Sequence, residues 1–456
     1  MIAMAEAVTR NQRRGDAVLE RPFHFMIVLW GERFRNYFLE YCLPSLLAPG
    51  NIPALATSRP SKFLIATRPE DWAAMRETAI FRKLESYIEP VYLEIPPCPP
   101  GRAGVDHMGV GHKLACEMSF REQAYAVLAY PDCVFSDRVI EWMQRLAHGG
   151  KQLVVCPALR FGEEPLLLNL RSRGLIPRES RRDSGQPIAL PARELACAAI
   201  NGLHAETLSY EWDASYFGLM LAAVWWRVPD EDGMVLHSLN WSPLLLDFAS
   251  LGNLSTSTLE SWTIDGDFLG RNISPSAAIH VIEDSDEAFL ASWAPMEEKL
   301  ESIGALGRLL FKDRTLRELV RAAQLRRVYY GPYIDWLKRR LFLQTVRWHS
   351  RPLSEAWQPV ERQAAKTLSA YIDEALAPRV SHRFGWRSLV AATSVVLSVV
   401  EPFVQAWVYR AAVRRRVLQI LRGNPDAIRR VLWHGDRVVH QLFGRTFNRP
   451  MPRPPA

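Results

Sequence analysis

Short apolar segments alternate with helix-like segments through the first third of the chain. Residues 23–30 form an apolar, β-rich run that Gly31 closes, and residues 33–47 then carry apolar side chains at helical spacing. Further apolar runs lie at 63–67, 91–95, 126–129 and 152–156, and helix-like segments lie at 71–84, around Lys113 and at 137–148. Strands joined by helices of this length predict an α/β fold with a mostly parallel sheet and helices on both faces.

The pattern changes after residue 160. Arginines stand among Gly, Pro and Ser in segment 161–191, which predicts a loop. The elements expected beyond it are a helix at 192–207, strands at 216–228 and 233–239 joined by a tight turn, short β or loop pieces at 261–268 and 279–282, and helices from 296 onward. At 456 residues the chain exceeds what one hydrophobic core usually serves. We therefore predict two regions, 20–295 and a helical, basic region at 296–456.

Basic residues are concentrated toward the C-terminus. The formal net charge is +7, but the part from Arg308 onward holds several arginine pairs with few acids, and the first two thirds are close to neutral. Such an end suits a phosphate-rich partner, either an anionic membrane face or nucleic acid, and arginines on solvated helix faces are an equal alternative. The 48% apolar and 23% charged composition argues against a disordered chain.

Segment 388–409 is predominantly apolar over the length that a bilayer core requires. Glu401 and Pro402 interrupt it, and arginines flank it on both sides. A buried or partner-packing helix and an interfacial helix that lies on a membrane both stay open, and a full span is the least favoured. We expect peripheral membrane contact through the C-terminal region, and we do not expect nucleic acid as a partner.

The cysteines and the N-terminal segment indicate the cellular compartment of the protein. None of the six cysteines has a neighbour at zinc or redox spacing, which favours reduced, buried thiols. In the N-terminal segment the apolar residues precede the arginines, which is the reverse of the charge order of a secretory signal. We expect a cytoplasmic protein, with the inner face of a membrane as its peripheral location.

An acidic side chain stands at the end of the fourth apolar run. The strand at 126–129 stops at Pro131, and Asp132 is the first charged residue after it. Open α/β sheets bind their ligands at the carboxyl ends of their strands, so Asp132 is a candidate ligand of a metal ion or a sugar. A loop start or a cap for the helix that begins near Asp137 is the equally weighted alternative.

Lys113-Leu114 on a helix, then Tyr125 and the strand that ends at Asp132, resemble the core of GT-A glycosyltransferases of the glycogenin-like retaining kind. In that family a Lys-Leu helix precedes a strand ending in an Asp-x-Asp motif, whose carboxylates hold the divalent ion of a nucleotide-diphosphate sugar. The resemblance covers roughly residues 23–290. It implies a nucleotide-diphosphate sugar as donor, an acceptor that the sequence does not identify, and a divalent metal ion, Mn²⁺ or Mg²⁺, as cofactor.

The motif is half matched, because Tyr130 stands where the family has its first acid. Three alternatives follow. Other residues complete a metal site, Lys and Arg neutralise the diphosphate without a metal, or the chain is a relic without activity.

The resemblance assigns roles to particular residues. The candidate catalytic residues are Asp132, Asp265 and Asp267, the candidate metal ligands are Asp132, Asp137 and His237, and the candidate donor-binding residues are Trp30, Gly31, Thr67, Lys113 and Asp132. Each type also has a structural alternative. An acid pair around Gly often marks a solvated turn, a histidine on an apolar strand is often a core residue, and a helix-surface lysine is often solvated.

We therefore predict a glycosyltransferase that moves a sugar from a nucleotide-diphosphate donor to an acceptor. The alternative is a non-catalytic GT-A-like binding or scaffolding protein with a basic helical interaction tail, and Tyr130 favours it.

Overall fold

The structure is a computed structural model. It describes residues 20–99, 104–177, 185–214, 221–260, 263–264, 267–296, 313–331, 334–372 and 388–399 of the chain.

Thirteen strands occur in the described residues. They are β1 (Phe23–Val28), β2 (Lys62–Thr67), β3 (Glu89–Glu94), β4 (Tyr125–Leu128), β5 (Cys133–Phe135), β6 (Leu153–Pro157), β7 (Arg160–Gly162), β8 (Ala223–Val228), β9 (Gly233–Ser238), β10 (Trp241–Asp247), β11 (Ile279–Val281), β12 (Leu290–Ala294) and β13 (Val346–His349).

The α-helices that surround them are mostly short. They are α1 (Glu32–Tyr37), α2 (Leu43–Leu46), α3 (Pro69–Arg76), α4 (Ala79–Glu85), α5 (Gly104–Arg121), α6 (Val139–His148), α7 (Glu163–Ser172), α8 (Ala192–Ile200), α9 (Ala205–Leu208), α10 (Asp267–Asn272), α11 (Arg314–Tyr329), α12 (Trp336–Phe342) and α13 (Trp357–Tyr371). A π-helical turn, Phe38–Cys42, joins α1 to α2, and residues 388–399 form a further helix. Within the described part of the chain, no helix is long and apolar enough to cross a membrane.

Seven strands form the main sheet, in the order β11-β6-β10-β4-β1-β2-β3. β1 pairs in parallel with β2 and with β4, β2 pairs in parallel with β3, and β11 pairs in parallel with β6. β10 is antiparallel to both of its neighbours. The predicted fold class, a mostly parallel α/β sheet with helices on both faces, is confirmed.

Both faces of this sheet are buried. On β1 and β2, Phe25, Ile27 and Phe63 belong to one hydrophobic core, whereas the intervening Met26 and Leu64 belong to another. Because successive side chains of a strand point to opposite faces, the sheet separates two layers of helices. Each such fully buried side chain contributes about 1.5–3 kcal/mol of transfer free energy, so the continuous apolar runs in the sequence specify the sheet.

The chain reverses its direction of travel across the sheet at β1. From β1 the strand order runs through β2 to β3 on one side, and β4 lies against the other side of β1. Open α/β sheets bind their ligands outside the carboxyl ends of the strands at such a reversal, and we call this edge, outside β1, β2 and β4, the crevice.

Helix α5 crosses the sheet close to this point. A Cβ atom at Gly111 would lie 2.7 Å from the Cβ of Ala66 and 2.8 Å from the Cγ1 of Val28, distances that an alanine does not tolerate without a shift. The absence of a side chain at Gly111 thus lets α5 lie directly on β1 and β2. This contact positions Lys113, two residues further along the helix.

The predicted loop at 161–191 is wrong in its first part, because β7 and α7 occupy most of residues 160–172. Leu166, Leu167 and Leu170 bury one face of α7, a spacing that outweighs the arginines beside it. Glu163 and Glu164 in the first turn of α7 favour the helix further through its dipole.

The region after 296 was predicted to be almost wholly helical, but it contributes one strand. β13 pairs antiparallel with β9, and β9 pairs with β8 in a separate three-stranded sheet. Val346 and Trp348 are buried on alternate positions, which is the pattern of a strand and not of a helix. The division into regions 20–295 and 296–456 stays a prediction.

Candidate functional site

The crevice at the reversal of strand order is bordered by residues from three strands. Trp30 and Gly31 follow β1, Thr67 ends β2, and Asp132 follows β4. Because these strands are parallel, their carboxyl ends lie on one edge of the sheet. The structure thus brings four of the predicted site residues to the same edge.

A buried carboxylate shapes the turn after β1. Gly31 has a φ of 81° and a ψ of 154°, which is a conformation that in practice only glycine adopts. Its N–H donates to Oδ2 of Asp71 at 2.8 Å, and Nη1 of Arg35 lies 2.6 Å from Oδ1 of the same residue. Asp71 is only 2% exposed. The sequence reasoning missed Asp71, whose signal was an acidic pair directly after Pro69 at a helix start.

Several buried polar atoms beside this turn lack a partner among the described residues. The Oγ1 atom of Thr67, the Nε atom of Arg68 and the Nδ1 atom of His107 make no hydrogen bond there. Nε2 of His107 lies 2.7 Å from the carbonyl oxygen of Pro96 and must donate to it, so Nδ1 carries a free lone pair. The ring of Trp30 lies edge-on to that of His107, with 5.5 Å between centroids. Unpaired buried groups are costly.

Lys113 is half-buried on α5, and Asp267 begins α10. Helix α10 packs against α12, where Nε1 of Trp336 donates to the carbonyl oxygen of Gly270 at 2.9 Å. Asp265 lies outside the described residues. The predicted roles of Asp265 and Asp267 stay predictions.

Asp132 lies between the sheet edge and the π-helical turn. It is half-buried, and its carbonyl oxygen accepts a hydrogen bond from the backbone N–H of Trp293 at 3.1 Å. Burial raises the pKa of the Cys42 thiol well above its usual range, and the Asp132 carboxylate raises that pKa further. The carboxylate therefore lies near Cys42, the last residue of the π-helical turn, a type of turn that is frequent at functional sites.

A cavity of about 590 Å³ lies on the other side of Trp293, between α1 and α7. We call it the tyrosine cleft, and its lining residues are Arg33, Asn36, Tyr37, Glu40, Tyr41, Glu163, Glu164, Leu167, Leu168 and Arg171. The rings of Tyr37 and Tyr41 pack edge-on against Trp293, with centroids 5.5 and 5.6 Å away. Trp293 therefore contacts the tyrosines of the cleft with its ring and the backbone carbonyl of Asp132 with its N–H.

The polar groups of the tyrosine cleft are held in fixed pairs. Nε of Arg33 donates to the hydroxyl of Tyr37 at 3.0 Å, and Nη2 of Arg33 lies 3.4 Å from Oε2 of Glu163. Burial, with Glu163 as the next cause, raises the pKa of Tyr37 to about 12, so its hydroxyl stays protonated. Nη2 of Arg171 donates to the hydroxyl of Tyr41 at 3.0 Å, and no described carboxylate lies within 4.0 Å of that guanidinium. The cleft thus offers two aromatic rings beside carboxylates and a cation without an acidic partner.

The structure does not bring the predicted metal ligands Asp132, Asp137 and His237 together. Strand β5, whose three residues span roughly 10 Å at strand geometry, and Ser136 separate Asp132 from Asp137. Oδ1 of Asp137 accepts hydrogen bonds from the N–H groups of Gly50 at 2.8 Å and Arg138 at 2.9 Å, so it fixes a loop. The carboxylate of Asp137 therefore has a structural role in this loop.

His237 lies on β9, and aromatic residues of neighbouring elements enclose it. Its Nδ1 lies 3.1 Å from the carbonyl oxygen of Phe342, and its ring packs edge-on against Trp226. Burial lowers the pKa of His237 to about 4, so it is neutral at physiological pH. With only 2% of the residue exposed, it is a core histidine.

A different group among the described residues could hold a metal ion. Asp284, Asp286 and His349 each offer a ligand atom, and these atoms lie within 4.8 Å of one another. Asp284 lies beyond the carboxyl end of β11, and His349 ends β13. None of the predicted ligands belongs to this group.

The hydrogen bonds of His349 show what this group does without a metal. Nδ1 lies 2.6 Å from the carbonyl oxygen of Arg351, and Nε2 lies 2.8 Å from Oδ1 of Asp284. Both neighbours are acceptors, so both ring nitrogens must carry a proton. Burial lowers the pKa of His349, but the hydrogen bond and charge of Asp284 outweigh it and raise that pKa above its ordinary value. Asp286 pairs with Arg193. The group is therefore a network of ion pairs, and a metal ion would have to displace a proton from Nε2.

Comparisons with known proteins leave the family open. No family model and no curated protein matches the chain. A solved structure that matches is described as a putative glucose-1-phosphate thymidylyltransferase from Bacillus anthracis in complex with a sucrose. It is 12% identical, covers 64% of this chain and 98% of its own, and gives a TM-score of 0.29. A likeness at this TM-score supports neither a fold nor an activity.

The unpaired hydroxyl of Thr67 gives a test of the crevice. Replacing Thr67 by Val removes a buried group that has no partner, so the free energy of unfolding should stay unchanged or rise by up to about 1 kcal/mol. The matched control is Thr78→Val. The Oγ1 of Thr78 accepts from the N–H of Phe81 at the start of α4, and its loss should cost about 1 kcal/mol. Denaturant unfolding of both variants is the measurement, and equal destabilisation would contradict the account of Thr67.

The His349 network predicts a pH-dependent stability. The pKa of His349 is raised in the folded state. The ion pair between His349 and Asp284 therefore contributes its full stability below the ordinary histidine pKa of about 6.5, and this contribution is lost as pH rises through the pKa of His349 in the folded protein. Burial raises the pKa of Asp284, but its hydrogen bonds to His349 and to the backbone of Asp286 outweigh burial and lower that pKa, so Asp284 stays charged where His349 titrates. Asp284→Asn should therefore cost about 1–2 kcal/mol near pH 5.5 and less near pH 9.

Thermal unfolding of Asp284→Asn at both pH values, in the presence of EDTA, checks this. Glu355→Gln, an exposed neighbour in sequence to the network, should change little at either pH. A penalty that grows toward pH 9 in EDTA would contradict this account. A penalty that grows toward pH 9 only when EDTA is omitted would indicate a bound metal ion, since a metal competes with the proton at Nε2.

Proposed function

We propose that the chain is a glycosyltransferase that binds a nucleotide-diphosphate sugar in the crevice outside the carboxyl ends of β1, β2 and β4. The observation that carries the proposal is the reversal of strand order between β1 and β4, with Trp30, Thr67 and Asp132 at the edge beside it. Ligands of open α/β sheets bind at such a point. The fold alone does not determine the chemistry, so the side chains decide it.

The nucleotide would bind on the β1–β2 side. Trp30 is half-buried and offers an aromatic ring for stacking, and nothing lies within 4 Å of the place where a Cβ of Gly31 would be. The unpaired Oγ1 of Thr67 and Nδ1 of His107 can donate to and accept from ribose or base atoms. A ligand that pairs these atoms recovers the free energy that their burial costs in the free protein.

The diphosphate would be neutralised by side chains. A divalent ion does not fit the predicted place, because Tyr130 replaces one acid and Asp137 fixes a loop. Arg68 directly follows Thr67, and in the described part of the chain the acidic partner of its guanidinium is Glu70, at 3.9 Å. Together with Lys113 it supplies positive charge for the leaving group, which corresponds to the metal-free alternative.

The transferred sugar and the acceptor would lie toward Asp132 and the tyrosine cleft. Transfer breaks the bond between the anomeric carbon and the β-phosphate oxygen, which leaves with the electron pair. A new bond forms from that carbon to an acceptor oxygen, whose proton passes to a base. Asp132 is the carboxylate that we assign to this end of the crevice, and Tyr37 and Tyr41 supply aromatic faces next to it.

The test is a calorimetric titration of the full chain with UDP-, GDP- and dTDP-glucose, each with and without Mn²⁺, followed by a donor turnover assay. One donor class should bind with a dissociation constant of about 1 mM or lower. Thr67→Val should weaken that binding about tenfold, and Asp132→Asn should lower turnover about 100-fold or more while binding changes less. Glu77→Gln, exposed at the end of α3 away from the crevice, is the control and should behave as wild type. The absence of binding to every donor at millimolar concentration would contradict the proposal.

A non-catalytic binding protein is the second candidate, and one contact favours it. The hydroxyl of Ser242 on β10 donates to the hydroxyl of Tyr130 at 3.0 Å, so a phenol is fixed where the GT-A family has its first acid. This candidate predicts donor binding with no turnover in the wild-type chain. Mass spectrometry of the donor after prolonged incubation separates the two functions.

A further inference from the structure

The helix at 388–399 exposes an uninterrupted apolar stripe and contains no charged residue. The stripe consists of Leu389, Ala392, Val395, Val396 and Val399. At 100° per residue these positions fall within an arc of about 120°. Val395 and Val396 are 60% and 58% exposed, which is high for adjacent valines in a folded protein.

The opposite side of this helix attaches it to the rest of the protein. Val390 is 2% exposed and forms a small core with Leu319, Ala322 and Ala323 of α11, and Leu397 packs against that core. The stripe therefore faces outward because the other face is already used. A contiguous exposed apolar surface of this kind marks a contact site.

The chain around the helix carries strong positive charge. From residue 379 to the end there are 14 arginines, no lysine and three acidic residues, whereas the preceding residues hold more acids than bases. Arg387 directly precedes the helix, and Arg410 and three consecutive arginines at 414–416 follow it in sequence. The partner should therefore present negative charge and an apolar interior at the same surface.

We propose that the stripe lies on an anionic membrane surface, with the helix parallel to the bilayer, and that the positive charge of the surrounding sequence attracts it to lipid phosphates. A nucleic acid would account for the arginines but not for five exposed apolar side chains on an uncharged helix. A membrane interface accounts for both, because apolar side chains enter the acyl boundary while basic residues bind the headgroups. The twelve described helical residues span about 18 Å along the proposed membrane surface.

The test is flotation of the full-length chain with vesicles of phosphatidylcholine alone and of phosphatidylcholine with 30% phosphatidylglycerol. We expect binding to the anionic vesicles, weaker at high salt, and little binding to the neutral ones. Val395→Glu/Val396→Glu should reduce anionic-vesicle binding about tenfold or more. Val395→Ser/Val396→Ser, which adds no charge, should reduce it less but in the same direction. Circular dichroism confirms that both variants are folded.

Leu353→Glu is the matched control, because Leu353 is an exposed leucine, 43% accessible, that lies outside this helix. The Leu353→Glu variant should bind the anionic vesicles as the wild type does. Unchanged vesicle binding of both Val395/Val396 variants would overturn the proposal and leave the arginines as the whole contact. Failure of the wild type to bind would overturn it too. If light scattering shows that the Val395/Val396 variants change the oligomeric state of the wild type while their vesicle binding stays intact, a second copy of the chain covers the stripe instead.

Discussion

The reversal of strand order between β1 and β4 is the constraint on which the rest of the structure depends. Both strands are buried on their two faces, and their carboxyl ends lie at the edge where open α/β sheets bind ligands. The turn after β1 is held open by Asp71, which accepts from the N–H of Gly31 and pairs with Arg35. The buried carboxylate of Asp71 thus fixes the turn that follows Trp30 at the edge of the crevice.

A second layer of contacts extends the crevice away from the sheet. Trp293 on β12 donates its backbone N–H to Asp132 and packs its ring against Tyr37 and Tyr41. The tyrosines belong to the segment that follows β1, and Asp132 follows β4, so Trp293 contacts one side of the reversal with its ring and the other with its backbone N–H. This continuity is why we assign the donor to the β1–β2 side and the acceptor to the tyrosine cleft.

The sequence allowed the sheet and its edge to be predicted because continuous apolar runs report burial on both faces. It placed Trp30, Thr67 and Asp132 at strand ends, where the structure has them. It could not show Asp71, Trp293 or the Asp284–His349 pair, since these act through contacts between residues distant in sequence. The arginines of 161–191 hid the leucine pattern of α7, and His237 looked like a ligand because spacing does not reveal that Trp226 and Phe342 enclose its ring.

The central claim is that a nucleotide sugar binds at the reversal of strand order. Hydrogen–deuterium exchange of the full chain, with and without a saturating nucleotide-diphosphate sugar, tests it most directly. The account predicts slower exchange in three separate segments, 29–33, 67–69 and 130–133, because the ligand covers the ends of β1, β2 and β4 together. Protection confined to other parts of the chain, such as the Asp284–Asp286 turn, or no protection at all, would contradict it.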